Sequence, residues 1–356
     1  MPGFYNQNEF QWGFAYDDPG WRQLAPAPAT VPDPGWISAL TTAQDNPDTL
    51  YAAWYNDPYI RISVDAGASW SRSVSFPAVA GGAPYPGPLV YSLQARAGQI
   101  FLLNNQNTDA HRGIWRSTDD GTTWTQLTNV SGPGYMSLAS TKLWYAERDD
   151  IGDIDFKRMN LDGTGIEVRG HQAFYGGRYI VRAFDDDLCL FTGYGEQTIY
   201  RITPSGLLNI CPSGLVPWDA LPLSASVLLA VGTASTSTYD VLVQRSVTAG
   251  ASWTLVQTIT ALEGFAQTGT TDSYFMIDAS APARTALVMA GNAYSDVQQL
   301  FWISSDAGLT WTSIVNDAEL QDGSGNWLVL GPGGVIARPA VQPTVAIPSR
   351  LATIVG

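Results

Sequence analysis

The pattern Ser-X-Asp-X-Gly-X-X-Trp occurs three times intact in this chain, as SVDAGASW (Ser63 to Trp70), STDDGTTW (Ser117 to Trp124) and SSDAGLTW (Ser304 to Trp311). A fourth copy, SVTAGASW (Ser246 to Trp253), carries Thr248 in place of the aspartate. An octapeptide that recurs through a chain marks repetition of one supersecondary unit, and such units bury their apolar faces by stacking on one another. The repeat therefore decides the architecture before any local reading does. It also warns that the most visible motif builds the fold and need carry no chemistry.

Each copy reads as a turn. Asp65, Asp119 and Asp306 can accept hydrogen bonds from backbone N–H groups of the turn. Gly67, Gly121, Gly250 and Gly308 supply the left-handed backbone that such a turn needs. Trp70, Trp124, Trp253 and Trp311 open the following strand and bury a large ring. Strand-like runs flank the copies, such as Tyr59-Ile60-Arg61-Ile62 before the first and Trp124-Thr125-Gln126-Leu127 after the second. The unit is a strand–turn–strand hairpin. This octapeptide resembles the Asp-box, or BNR repeat, of sialidase-like β-propellers. The resemblance covers the turn between the third and fourth strands of four blades. It implies an all-β propeller with the boxes on its outer, non-catalytic side.

Spacing extends the count. Positions 65 and 119 lie 54 residues apart and positions 248 and 306 lie 58 apart, but 129 residues separate 119 from 248, too many for one blade. Two degenerate turns fit inside that gap, Asn160-Leu161-Asp162-Gly163 and Thr203-Pro204-Ser205-Gly206. A further turn, Asp17-Asp18-Pro19-Gly20-Trp21, lies near the N-terminus. The expectation is a seven-bladed β-propeller of four-stranded antiparallel blades, with six blades the alternative. The N-terminal turn has too little chain before it for a whole blade, while Asn326–Leu330 and Gly334–Arg338 are strand-like runs with no box after them. The two ends are expected to build one mixed blade, which closes the ring and removes exposed edges. Residues 1–340 are then the propeller. Residues 341–356 (VQPTVAIPSRLATIVG) are an apolar tail expected to act as a docking arm.

The net charge of −14 argues against nucleic acid, whose phosphates would repel the chain. No apolar run reaches the length of a membrane span, and the start, MPGFYNQNEFQWGF, lacks the basic and apolar regions of a secretory signal. Charged residues make up only 14% of the chain, against about a quarter in ordinary soluble domains, a balance that suits virion and secreted proteins. Arginine outnumbers lysine 16 to 2, which is read as the mark of a GC-rich genome. Cys189 and Cys211 fall on the second and fourth strands of one blade, about two strand spacings apart, so two buried free thiols are expected and no disulfide.

The loops opposite the boxes would form the ligand face. They carry Asp57, Asp109, His111, Asp149, Asp150, His171, Tyr175, Tyr194, Glu196, Trp218 and Tyr294. Carboxylates mixed with aromatic rings suit sugar binding; a solvated acidic loop face is the plainer account. The resemblance implies what an active sialidase would need: three arginines on the substrate carboxylate, a Tyr–Glu nucleophile pair, an Asp acid/base and an Arg-Ile-Pro motif. Here Arg61-Ile62 is followed by Ser63, and Arg96 and Arg182 on inner strands make no triad. No catalytic residue is assigned. Asp149, Asp150, Asp153 and Asp155 present oxygens in one stretch, but without the spacing of a calcium loop. Asp185-Asp186-Asp187 reads as a solvated turn between a first and a second strand. No metal and no cofactor are expected.

The resulting expectation is a non-enzymatic structural or adhesion propeller of a bacteriophage particle, in the tail or associated with the capsid. Its partners would be other virion proteins, further copies of itself or a host-surface glycan, with no nucleic acid and no membrane insertion. The alternative is a secreted bacterial propeller that binds glycans or hydrolyses glycosides.

Overall fold

The computed structural model describes residues 37–43, 46–54, 59–64, 71–72, 90–96, 98–104, 112–130, 135–148, 153–173, 179–193, 198–204, 206–234, 240–259, 271–278, 281–292, 297–304, 306–313, 328–329 and 336–337. The N-terminal turn at 17–21 and the tail at 341–356 lie outside them. Two compact units divide the chain: Met1–Met136 with Asp162–Thr164 and Asn316–Gly356, and Ser137–Leu161 with Gly165–Val315.

All regular structure among the described residues is β. The first eight strands are β1 (Ile37–Ala43), β2 (Asn46–Trp54), β3 (Ile60–Ser63), β4 (Ser71–Arg72), β5 (Val90–Arg96), β6 (Gln99–Asn104), β7 (Gly113–Ser117) and β8 (Thr125–Thr128). They form one sheet in the order β4-β3-β2-β1-β5-β6-β7-β8. It consists of two antiparallel quartets that touch through one parallel pair, Ala43 with Ala95. The next quartet is β9 (Met136–Leu138), β10 (Lys142–Arg148), β11 (Ile154–Asn160) and β12 (Glu167–Gln172). Then come β13 (Tyr179–Ala183), β14 (Cys189–Gly193), β15 (Thr198–Thr203) and β16 (Gly206–Asn209). The following quartet is β17 (Leu215–Pro222), β18 (Leu228–Ala234), β19 (Val241–Ser246) and β20 (Thr254–Ile259). The last is β21 (Thr271–Asp278), β22 (Ala281–Asn292), β23 (Val297–Ser304) and β24 (Thr312–Ser313). A two-stranded sheet, β25 (Leu328–Val329) with β26 (Ile336–Ala337), falls where the C-terminal strand-like runs were expected. In each quartet the strands pair antiparallel in chain order.

Position within a quartet sets the polarity of a strand. The second strands are buried on both faces, so they read as continuous apolar runs rather than alternating ones. Cys189–Gly193 is buried throughout, and so is Leu228–Gly232. The fourth strands are solvated: β16 and β20 show mostly intermediate or exposed residues. Between β9–β12 and β13–β16 the core is aromatic. Phe156 sits 4.4 Å from Phe191, 5.2 Å from Tyr179 and 5.6 Å from Tyr200, centroid to centroid. Burying each such ring is worth about 1.5–3 kcal/mol.

The first copy's turn, Asp65 to Trp70, lies outside the described residues; the other repeat turns are bonded as the sequence predicts, with one addition. In the second copy Asp119 Oδ1 accepts from Thr123 N at 2.8 Å and Oδ2 from Thr123 Oγ1 at 2.7 Å. In the last copy Asp306 Oδ1 accepts from Thr310 N at 2.9 Å. The addition is the serine: Gly121 N donates to Ser117 Oγ at 2.7 Å, Gly250 N to Ser246 Oγ at 2.9 Å and Gly308 N to Ser304 Oγ at 2.8 Å. Thr248 stands in for the missing aspartate by accepting from Ser252 N through its hydroxyl at 2.9 Å. The residue before the glycine is also left-handed, with φ of 52° at Asp120, 58° at Ala249 and 58° at Ala307. Sequence reasoning had placed the positive φ on the glycine alone.

That strained residue presents its carbonyl to a neighbouring sheet. Arg201 on β15 donates to Ala249 O at 2.9 Å, and Arg245 on β19 donates to Ala307 O at 2.9 Å. Arg158 on β11 donates to Asp186 O, in the turn between the first and second strands of the following quartet, and also reaches Asp187 Oδ1 at 2.7 Å. An arginine on the third strand thus brackets the turns of the following quartet in three places within the second unit.

The degenerate turns at 160–163 and 203–206 join β11 to β12 and β15 to β16, with φ of 85° at Gly163 and 120° at Gly206. Both cysteines are free, but Cys211 lies beyond the end of β16 and is only partly buried. The expectation of two buried thiols is corrected there, because the outer strand stops at Asn209.

Candidate functional site

The quartet ends opposite the repeat turns carry the connections from second to third strand and from fourth to first. Of the predicted face residues, Asp57, Asp109, His111, Asp149, Asp150, Tyr175, Tyr194, Glu196 and Tyr294 lie outside the described residues. Trp218 is corrected. It belongs to β17 rather than to a loop, at a register shift between Pro217 and Asp219. Its ring is buried with Leu221, Leu229, Val231 and Val243 and is a core residue.

His171 is on the surface, at the end of β12, and it organises the polar cluster there. The register aligns Glu147, Asp155 and His171 in one row across β10, β11 and β12. Alternation along the strands puts Tyr145 and Lys157 on the same face, two residues on. His171 Nδ1 lies 2.9 Å from Asp155 Oδ1, and Nε2 lies 3.3 Å from Asp153 Oδ2. Lys157 Nζ bridges Glu147 Oε2 at 2.8 Å and Asp155 Oδ2 at 3.2 Å.

Burial works against the charge on Asp155, yet the hydrogen bonds from His171 and Lys157 outweigh it and hold the carboxyl below its usual range. Burial likewise disfavours the Lys157 ammonium, but its bonds to Glu147 and Asp155 raise it above the ordinary lysine value. Beneath them Tyr145 is almost completely buried, and burial, with the charges of Glu147 and Asp155, pushes its phenol far up. It stays a neutral O–H.

The arrangement is a self-neutralising network. Lys157 occupies the position between Glu147 and Asp155 that a bound cation would take. Among the described residues no three His, Cys, Asp or Glu side chains are grouped to hold a metal ion. Sequence reasoning singled out His171, Asp153 and Asp155 but missed Glu147, Lys157 and Tyr145 as their partners. The available signal was the period-two alternation of Tyr145 and Glu147 on one strand and Asp155 and Lys157 on the next.

Arg182 on β13 is equally committed. It is 1% exposed and pairs with fully buried Asp219 on β17, Nη2 to Oδ2 at 2.7 Å and Nε to Oδ1 at 3.3 Å. Asp219 Oδ1 also accepts from Ala220 N at 2.8 Å. The Asp185–Asp187 run forms the expected turn between β13 and β14, yet it is bonded rather than merely solvated. Asp186 accepts from Thr141 N at 2.7 Å, Thr141 Oγ1 at 2.6 Å and Lys142 N at 3.0 Å, so it caps the turn that leads into β10. Burial opposes its charge and these bonds prevail, leaving its carboxyl below the usual range.

No protein-family model matches the chain, and no curated protein matches it. Among solved structures it is similar to YCF48 from Cyanidioschyzon merolae, with a TM-score of 0.54 and 11% identity over 90% of this chain and 96% of that one. It is similar to YCF48 bound to D1 peptide, with a TM-score of 0.53 and 11% identity over 92% and 97%. It is also similar to the GH74 enzyme of Niastella koreensis, with a TM-score of 0.50 and 14% identity, where it spans 79% of this chain but 59% of that one. These are β-propeller proteins. At such identities the likeness concerns the fold alone, and with the antiparallel quartets it supports a β-propeller.

Proposed function

We propose that this chain is a non-enzymatic docking and adhesion propeller built into a bacteriophage particle, where it contacts other virion proteins, further copies of itself or a host-surface glycan. In this reading the repeat turns are Asp-boxes. The ring has seven blades, one of them shared between the N- and C-terminal runs, and residues 341–356 dock on a neighbouring subunit. The observation that carries the non-enzymatic part is that Arg182 and the charged groups around β10–β12 are committed to one another. Arg182, an inner-strand arginine of the kind a sialidase would aim at a substrate carboxylate, is held inside by Asp219. The carboxylates nearest the loop end of β10–β12 are held by Lys157 and His171.

The test has two parts. The purified protein is assayed against sialosides and a panel of aryl glycosides, and intact phage particles from cells that encode the chain are crosslinked and mapped by mass spectrometry. The expected result is no turnover, together with crosslinks from the tail to another subunit. Turnover of any glycoside overturns the non-enzymatic reading, and absence of the chain from particles overturns the virion reading.

A further inference from the structure

Both ring nitrogens of His171 face carboxylates, Asp155 at Nδ1 and Asp153 at Nε2. A neutral imidazole has one N–H and one lone pair, whichever tautomer it adopts, so one of the two contacts would set a lone pair against a carboxylate oxygen. Only the imidazolium both donates to Asp155 at Nδ1 and presents positive charge, rather than a lone pair, to Asp153 at Nε2. We propose that the His171 imidazolium is a pH-sensitive tie that fastens the end of the outer strand β12 to Asp153 and Asp155 at the start of β11. The inference stands whether or not the docking reading does.

The charges around the ring favour the protonated form. β11 contributes Asp155 and Lys157, with Asp153 just before it, and β10 contributes Glu147. On β12 itself Glu167 is turned to Arg158, Lys142 and Arg169. Among the described residues three carboxylates stand against one ammonium, a negative surround that stabilises a cationic imidazole. The direction of the linkage follows. A histidine that gains partners in the folded state titrates above its unfolded value of about 6.5. Its contribution is complete below that value and is lost as the pH rises through the folded-state value. On the acid side the tie lasts until the carboxylates themselves protonate. Asp153 is where the chain returns to the sheet after the stretch bearing Asp149 and Asp150, so the tie fixes one end of a connection on the proposed ligand face.

The test uses the full-length, 15N-labelled protein. Long-range ring correlations of His171 are followed from pH 5 to 9, and amide exchange is measured on peptides spanning 154–156 and 170–172. The expected result is a doubly protonated ring at pH 7. Opening, corrected for intrinsic exchange, should be about tenfold faster at pH 9 than at pH 6, the loss of one charge-assisted bond at a partly exposed site. His171→Gln should abolish that pH dependence, and since the side chain is half exposed the variant should fold. Asp153→Ala, which removes only the Nε2 partner, should lower the pH at which the ring titrates. A single neutral tautomer at pH 7, or a pH-dependent opening that persists in His171→Gln, overturns the proposal.

Discussion

Asp219→Asn leaves the shape of the Arg182 site almost unchanged and removes its charge. The guanidinium is then buried against a neutral amide in place of its carboxylate partner. Breaking a buried pair from one side costs about 3–5 kcal/mol, because the remaining charge is stranded away from water. At about 2 °C per kcal/mol for a large chain, the melting temperature should fall by roughly 6–10 °C. The double variant Arg182→Met, Asp219→Leu is the discriminating partner. It removes both charges and replaces them with apolar groups of similar volume, a change that is often neutral or favourable by about 1–4 kcal/mol. It also loses the bond from Ala220 N, about 1 kcal/mol. The double variant should therefore melt near the wild type, well above the single one. Calorimetry and tryptophan fluorescence on the three proteins read this directly. If Asp219→Asn melts within about 1 °C of wild type, the pair is not a closed structural ion pair, and Arg182 becomes available again as a ligand-binding arginine.

Thr248→Asp should restore the four-fold pattern and stabilise by about 0.5–1 kcal/mol, a gain visible in the melting temperature, because a carboxylate is the stronger acceptor for Ser252 N. Gly250→Ala should cost about 2–4 kcal/mol by the same assay, since φ there is +90° and the new Cβ would stand 2.6 Å from Ile210 Cδ1. The Asp306 carboxyl is held down to about 2, chiefly by the Thr310 hydroxyl, with burial opposing and the remaining bonds of the turn adding to it. Its contribution is therefore present above the ordinary value of about 3.9 and is lost as the pH falls toward 2. Wild type should out-melt Asp306→Asn at pH 5 and lose that advantage by pH 2. Burial pushes the Cys211 thiol up to about 12 and raises that of Cys189 well above its ordinary value, so neither should alkylate readily in the native protein at pH 8, while both should after denaturation; rapid native alkylation would contradict the packing around them.

What was legible in the sequence was local. The hairpin of each repeat turn depends on residues within four positions of one another, Ser117, Asp119, Gly121 and Thr123, so its chemistry can be written down from the string. The degenerate turns at 160–163 and 203–206 were found through their glycines for the same reason. Trp218 was misplaced because its strand position depends on an irregularity between Pro217 and Asp219 that local pattern does not announce. The register shift at that point instead turns the ring inward. The His171 network was half found. Its row across three strands depends on a second register shift, between Phe156 and Lys157, that no window along the chain displays.

The arginine bias shows how a compositional signal can acquire a structural cause. Sixteen arginines against two lysines looked like a property of the genome. Yet Arg158, Arg201 and Arg245 all sit on third strands and all reach backbone carbonyls in the turns of the following quartet. Arg201 shows why lysine would serve less well. Its Nη1 donates to Ala249 O at 2.9 Å and its Nη2 to Ala225 O at 3.2 Å, so one planar group spans two turns. The lysine ammonium is a compact point charge on a flexible stem, without that fixed fork. At Ala249 and Ala307 the left-handed residue before the glycine offers its carbonyl to a guanidinium of the preceding quartet. The strain in the turn and the arginine on the neighbouring sheet are thus two halves of one joint. Together with Arg182 and Asp186, they show a sparsely charged chain using several of its ions to hold sheets together.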